Sequence, residues 1–321
     1  INFIKVPAGK LRLYFSIKNF FDIFKTITGM IIGLIVMFFI YPDVVISKGG
    51  YAAFPAVFAA RILRIPVIVH ESDSHPGRMN SWTAKFAKYV AVSWPEAGGY
   101  LPKEKTAHTG QPIRKEILKG DPNGAYDFFH FDHNIPTILV SGGSQGAEKI
   151  NNIIIETLSE LLQKYQIIHQ VGYKNLEEVK LRSKLFTDMD KKFPNRYFIT
   201  PYLNNLQTRM AAGISSLVIS RAGSYIFEIA SWGIPSIIIP ITNSNGDHQR
   251  KNAWSYARAG ACEVIEEANL TKHLLIAEID KLLANKDRME KMHENALAFA
   301  GDNAAEKIAQ LAINLALTHE K

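Results

Sequence analysis

Short apolar runs alternate with longer segments whose apolar residues recur every three to four positions, and from residue 43 onward this rhythm covers most of the chain. Such runs read as buried strands and the periodic segments between them as amphipathic helices. Asp43–Ser47 predicts a strand, Tyr51–Arg64 an Ala-rich helix, Pro66–His70 a strand, Arg78–Lys88 a helix and Tyr89–Val92 a strand. Residues 115–135, KEILKGDPNGAYDFFHFDHNI, break the rhythm with Gly, Pro, Asn and Asp and read as a linker. It resumes with ILV at 138–140, a helix over Ala147–Lys164, QIIHQ, a polar helix, RYFIT and a helix near Asn204–Ala212. LVIS at 217–220, a helix ending at Trp232, PSIIIP and a helix from Gln249 follow, and helices dominate after Leu270. Strands alternating with helices call for a parallel sheet covered on both faces. The pattern therefore predicts an α/β chain of two doubly wound halves.

The opening is different. Thr26–Tyr41, TITGMIIGLIVMFFIY, is sixteen uncharged residues ending at Pro42, short of the roughly 20 a helix needs to cross a bilayer. It reads as a buried or interfacial helix. At 47 % hydrophobic and 21 % charged, 321 residues exclude disordered and coiled-coil classes and leave room for about two domains. The lone Cys262 permits neither an internal disulfide nor a cysteine-ligated zinc cluster and fits a reducing compartment. Charge adds a direction, because residues 1–130 carry 11 Lys and 5 Arg against 9 acids whereas residues 131–321 carry 21 of each sign. The net +7 thus belongs to the first part. Lys5, Lys10, Arg12, Lys18 and Lys25 interleave there with Phe15, Phe20, Phe21 and Phe24. Nucleic acid and anionic lipid both reward clustered cations, and a solvated basic face needs neither.

In a doubly wound sheet ligands bind beyond the carboxyl ends of the strands. After the strand at 137–140 comes Ser141-Gly142-Gly143-Ser144-Gln145-Gly146 and then a helix. Glycines let backbone amides approach a phosphate and the helix start adds partial positive charge, although any tight strand-to-helix turn also favours glycine. The turn is neither a Walker loop nor a GxGxxG fingerprint, which counts against ATPase and dehydrogenase chemistry. After LVIS comes SRAGSYIFEIASWGIP, in which Glu228 enters an otherwise apolar helix. A carboxylate there accepts two sugar hydroxyls or simply complements the helix start. ITNSNGDHQRKNA supplies a third polar loop on the same edge. Three such loops suit a nucleotide sugar.

GGSQG, RAG before an apolar helix bearing Glu228, GIP, DHQ-x-x-NA, SKGGY, HES-x-x-x-PG-x-x-N and GQPIR occur in an order and spacing that resemble the bacterial MurG glycosyltransferases, over nearly the whole chain. Members of that family transfer N-acetylglucosamine from UDP-N-acetylglucosamine to undecaprenyl-pyrophosphoryl-muramoyl-pentapeptide, the lipid I acceptor, with inversion. The resemblance implies GT-B architecture, two Rossmann-like domains with a cleft between them. It assigns residues 1–114 to an acceptor- and membrane-facing domain completed by a C-terminal helix at 303–318, and residues 136–302 to the UDP-sugar. Arg114 and Ser144, with Gly143 and Gln145, resemble the diphosphate contacts, Glu228 the ribose-binding glutamate and Leu203 the uracil contact. His248 and Gln249 match donor-sugar positions. Ser224 and Tyr225 fall in a sugar-facing loop one residue shorter than the commonest family pattern. Gly49, Gly50, Tyr51, Glu71 and Asn80 fall on the acceptor side, and His70 and Asp73 are the catalytic candidates. His70 reads equally as a strand-end histidine, and Asp73 stands where many relatives carry asparagine.

The family's opening strand and GGTGGH loop, whose histidine faces the acceptor, have no counterpart here, so the chain reads as an N-terminally truncated fragment, expected to be poorly stable and inactive. The family scheme needs no cofactor and no metal. A DxD pattern, Asp188-Met189-Asp190, lies beside Lys191 and Lys192 in a polar stretch and reads as solvated surface. The basic, aromatic opening then reads as a peripheral contact with the anionic cytoplasmic face of the plasma membrane, and nucleic acid drops out for want of an RNA-binding or zinc-finger signature. A diacylglycerol glycosyltransferase, a UDP-N-acetylglucosamine epimerase and a non-catalytic remnant are the competing classes.

Overall fold

The computed structural model describes residues 3–9, 17–143, 145–187, 195–301 and 303–319. Ser144, the Asp188-Met189-Asp190 motif, Lys10, Arg12 and Phe15 lie outside the described residues, as does the Lys18 side chain. The chain divides into two compact units, Ile1–Pro112 with Asp302–Lys321, and Ile113–Gly301.

The first unit comprises α1 (Ile17–Ile40), β1 (Val45–Ser47), α2 (Phe54–Ile62), β2 (Val67–Glu71), α3 (Arg78–Ala84), β3 (Tyr89–Val92) and β4 (Thr106–His108). Its four strands pair in the order β1-β2-β3-β4, all parallel. β2 is buried along its whole length, so it is apolar up to His70 and Glu71 at its carboxyl end. The C-terminal helix Ala304–His319 belongs to this unit and packs Leu311, Ala312 and Leu315 onto Ile68.

The opening helix departs from the expected sixteen-residue segment. α1 has 24 residues, since the charged stretch before Thr26 is helical too, with Asp22 and Lys25 facing each other across one turn at 3.9 Å. Asn19–Ile40, 22 residues whose most apolar 18-residue stretch has a mean hydropathy of 2.3, is long and apolar enough to cross a membrane by length and composition, yet only 11 % of that stretch is buried. Of the two expectations, a buried or an interfacial helix, the buried one does not hold. Only Gly29 and Gly33 are buried among its described side-chain positions. A Cβ on Gly29 would stand 1.8 Å from Pro7 O, so glycine is what lets the leading segment pass.

The second unit contains α4 (Ala125–Phe129), β5 (Thr137–Ser141), α5 (Glu148–Leu161), β6 (Gln166–Gln170), α6 (Leu176–Thr187), β7 (Tyr197–Thr200), α7 (Asn205–Ile214) and β8 (Ser215–Ser220). α8 (Tyr225–Trp232), β9 (Ser236–Ile238), α9 (His248–Arg258), β10 (Cys262–Val264), α10 (Lys272–Leu283) and α11 (Lys286–Ala300) complete it. The six strands run parallel in the order β10-β9-β8-β5-β6-β7, with β5 and β6 wholly buried. α5 and α10 cover one face through Ile150, Ile154, Leu158, Leu275 and Ile279.

Residues 115–135 are not a free linker. Ile117, Ala125 and Phe129 are buried, Asp121 pairs with Arg209 of α7 at 3.0 Å, and Trp232 Nε1 donates to Ile117 O at 2.6 Å. Gly, Pro and Asn here serve tight turns that seat apolar residues against α7, which a composition reading cannot tell from a solvated connection. The edge strands β4 and β10 had no sequence signal. Each is three residues long, and β4 is largely solvent-facing.

Candidate active site

The loops at the carboxyl edge of the second sheet enclose a cleft of about 890 Å³. β5 ends on buried Ser141, whose Oγ accepts the Gly143 amide at 3.3 Å, and the Gly146 amide returns to Gly143 O at 3.0 Å. Gly143 and Gly146 have φ of 82° and 77°, a region that favours glycine. A Cβ on Gly146 would meet Val171 O at 2.1 Å, whereas beside Gly143 there is open space. The turn is thus closed on its sheet side and open toward the cleft, with the first amides of α5 unpaired within the helix and carrying partial positive charge.

α8 carries Glu228 to the same cleft. Arg114 Nη2 stands 3.6 Å from Glu228 Oε1, and its Nη1 donates to Asn205 Oδ1 at 2.6 Å. Glu228 Oε2 is buried and has no hydrogen-bond partner. Burial pushes the carboxyl above its ordinary value, while Arg114 pulls it back in part. Burial likewise raises the Tyr225 phenol one turn earlier. A buried carboxylate oxygen left unpaired carries a desolvation cost that a bound hydroxyl would relieve.

The segment before α7 is fixed by a capping box, in which Asn204 Oδ1 accepts from the Gln207 amide at 2.9 Å and Gln207 Oε1 from the Asn204 amide at 3.0 Å. This holds buried Leu203 at the cleft, its amide donating to Gln170 Oε1 at 3.2 Å. Gln249 Oε1 accepts from the Ile241 amide at 3.1 Å. Arg114, Gly143, Gln145, Leu203, Ser224, Tyr225, Glu228 and Gln249 all line this one cleft. His248, paired with Gln249 in the sequence reading, is not among its lining residues. Gln170, Thr208, Arg221, Asn243 and Glu267 are, beyond the residues the sequence singles out. Gln170 and Arg221 had a usable signal, a polar residue at the carboxyl end of an apolar strand. Glu267 had none. Among the described residues no group of three or more His, Cys, Asp or Glu is placed to hold a metal ion.

In the first unit, Lys48 Nζ donates to His70 Nδ1 at 2.9 Å, and His70 Nε2 lies 3.2 Å from both Gly110 O and Ser93 Oγ. With an ammonium donating to Nδ1, the proton sits on Nε2 and both nitrogens are engaged. His70 is 1 % exposed, and burial with the Lys48 charge lowers its pKa to about 4. His70 is thus a strand-end histidine with both ring nitrogens engaged within the fold. Glu71 Oε1 accepts the Asp73 amide at 2.9 Å, and its Oε2 accepts the Gly77 amide at 3.0 Å and Asn80 Nδ2 at 2.8 Å. Glu71 and Asn80 therefore build the 71–77 loop. Gly49 and Gly50 have φ of 79° and 76°, and a Cβ on Gly49 would stand 2.4 Å from Asn80 Oδ1. Tyr51 and Asp73 keep partial solvent access.

Two family models match the chain, the glycosyltransferase family 28 C-terminal domain over residues 137–311 and the family 28 N-terminal domain over residues 1–92. A Bacillus anthracis protein named UDP-N-acetylglucosamine–N-acetylmuramyl-(pentapeptide) pyrophosphoryl-undecaprenol N-acetylglucosamine transferase 2 is 38 % identical over 89 % of this chain and 79 % of its own length. A Staphylococcus aureus protein of the corresponding transferase name is 36 % identical over 90 % of this chain and 78 % of its own length. The crystal structure of Acinetobacter baumannii MurG superposes with a TM-score of 0.68 at 25 % identity, covering 91 % of this chain and 79 % of that one. A Neisseria meningitidis UDP-GlcNAc 2-epimerase bound to UDP-GlcNAc, at 17 % identity and a TM-score of 0.66 over 90 % and 81 %, shares the fold. Two parallel-sheet units, a glycine turn facing a cleft that holds an unpartnered glutamate, and these likenesses together make the chain a glycosyltransferase of family 28, belonging to its MurG group.

Proposed function

We propose that the cleft of the second unit binds UDP-N-acetylglucosamine and that the chain's reaction is transfer of N-acetylglucosamine to undecaprenyl-pyrophosphoryl-muramoyl-pentapeptide, giving the disaccharide lipid of peptidoglycan synthesis. The observation that carries the donor reading is the buried, unpartnered Glu228 Oε2 beside Arg114 and the open face of the Gly142–Gly146 turn. The ribose hydroxyls donate to Glu228, the diphosphate lies against the glycine turn and the start of α5, and the uracil reaches the backbone of Leu203. The muramoyl 4-hydroxyl attacks the anomeric carbon as the bond to UDP breaks, and the proton passes to a base. Charge developing on the departing diphosphate is stabilised by Arg114 and the helix start, which act most strongly where charge accumulates.

The acceptor role falls to the loop Gly49-Gly50-Tyr51, and membrane attachment to α1. Phe20, Phe21, Phe24, Ile31, Ile35, Phe38 and Phe39 are all more than half exposed along that helix, with Lys25 beside them. On this reading α1 lies at the surface of the cytoplasmic leaflet, where burial of its exposed apolar side chains and attraction of Lys25 to anionic lipid add.

Titration calorimetry with UDP-N-acetylglucosamine tests the donor site. Glu228→Ala should weaken binding by about tenfold or more, as expected for hydrogen bonds to a charged group, and unchanged affinity would remove Glu228 from the site. For the acceptor, an assay offering lipid I and diacylglycerol decides, and glycosylation of diacylglycerol alone would overturn the reading.

A further inference from the structure

A buried ion pair on the wall of the same cleft has no part in the scheme above. Arg221, directly after β8, has a side chain 12 % exposed, and Glu267, after β10, one 8 % exposed. Arg221 Nη1 donates to Ile239 O, just beyond β9, at 3.1 Å, while its Nη2 pairs with Glu267 Oε1. Glu267 Oε2 then accepts from both the Thr242 amide, at 3.1 Å, and the Thr242 hydroxyl, at 2.8 Å. Burial pushes the Glu267 carboxyl up, but the Arg221 and Thr242 bonds outweigh it and hold the group below its ordinary value.

Thr242 is the tether point of the loop between β9 and α9, which turns through two left-handed residues, Gly246 at φ 70° and Asp247 at φ 57°. The loop presents Asn243 to the cleft, and Gln249 reaches back to the Ile241 amide. Leu203 follows β7 at one edge, the glycine turn follows β5 in the middle, and Glu228 comes after β8. The sugar hangs from the diphosphate, and the polar lining of the cleft not taken up by base, ribose or diphosphate includes Asn243, in the loop after β9, and Gln249, just beyond it. Buried ion pairs contribute little net stability compared with apolar packing, so this pair's value is in fixing geometry.

We infer that Arg221, Glu267 and Thr242 form a latch of positioning residues that sets the loop 241–247 to receive the donor's N-acetylglucosaminyl group, while the uridine diphosphate portion is bound without it. The inference rests on the donor reading given above.

The test is calorimetric titration of the chain with UDP and with UDP-N-acetylglucosamine, in the wild type, Glu267→Gln, Thr242→Val and Thr242→Ser. Glu267→Gln should weaken UDP-N-acetylglucosamine about tenfold and leave UDP within about twofold. Thr242→Val, which removes one donor and keeps the shape, should show the same split at about threefold, and Thr242→Ser should restore wild-type behaviour. If Glu267→Gln does not fold, the threonine pair decides alone. Equal losses for both ligands, or no loss for either, would overturn the latch. A wild type that binds neither ligand would instead bring down the donor reading, and the latch with it.

Discussion

Glu228 and Arg114 were legible as residues because each sits in a short motif that the chain keeps in one place, a glutamate in an apolar helix and an arginine after GQPI. The Arg221–Glu267 pair was not, since its members lie 46 positions apart and only the parallel pairing of β8, β9 and β10 brings them together. His169 went unnoticed for another reason, that burial is invisible in an isolated strand residue. It is fully buried behind the glycine turn, with Nδ1 2.8 Å from Tyr197 Oη and Nε2 3.1 Å from Asn151 Oδ1. The amide oxygen fixes the proton on Nε2, so the neutral ring has both nitrogens engaged while the charged ring would be stranded in a fully buried site. Burial lowers its pKa to about 3. Between that value and the ordinary 6.5 the unfolded chain binds a proton that the folded one refuses, so stability rises with pH across the window and is lost on acidification. The expected loss from this group is about 2 kcal/mol by pH 5. Thermal midpoints measured from pH 7 to 5 should fall steeply in the wild type and less steeply in His169→Gln, whatever that variant's stability at pH 7; parallel slopes would exclude His169 as the cause.

Among elements, the strands at the sheet centres followed from pattern because burial on both faces leaves an unbroken apolar run, whereas β4 and β10 are short edges without one. The stretch 115–135 misled because turn residues look alike whether they face water or pack. Its attachment to α7 is tight enough to test, since a Cβ on Gly213 would stand 2.4 Å from the Asp121 carbonyl carbon and 2.5 Å from Pro122 N. Gly213→Ala should therefore lower stability by about 1–3 kcal/mol, read as a reduced denaturant midpoint at unchanged slope; a neutral outcome would mean that the 121–122 turn is free to move. α1 presents the reverse case, where composition located the element but not its length, and left open whether it is buried or interfacial. Its exposed aromatic end makes the membrane reading quantitative, since burying one phenylalanine is worth about 1.5–3 kcal/mol. Phe38→Asp with Phe39→Asp should cut flotation with anionic liposomes by about tenfold or more, and undiminished flotation would move the membrane contact away from α1.

At the scale of the molecule, the two α/β halves were readable from the rhythm alone, and the excess of positive charge was readable from counting. The return of the C-terminal helix Ala304–His319 to the first unit followed only from resemblance, because nothing in its amphipathic pattern says which sheet it covers. Each unit nevertheless gathers polar side chains at the carboxyl edge of its own parallel sheet, Lys48 and His70 in one, Ser141, Glu228 and Glu267 in the other. That common logic predicts how ligand should alter the second unit. A ligand that binds only the folded form stabilises it by about 2.7 kcal/mol at a hundredfold excess over Kd, and amide exchange slows wherever opening would break the bound contacts. UDP should therefore slow exchange in the turn after β5, at Leu203 after β7 and at the start of α8. UDP-N-acetylglucosamine should add protection in residues 241–249, after β9, where the loop held by Thr242 and Glu267 receives the sugar. If UDP alone protects that loop to the same extent, the sugar is not what the loop holds, and the far end of the cleft must be assigned to the nucleotide instead.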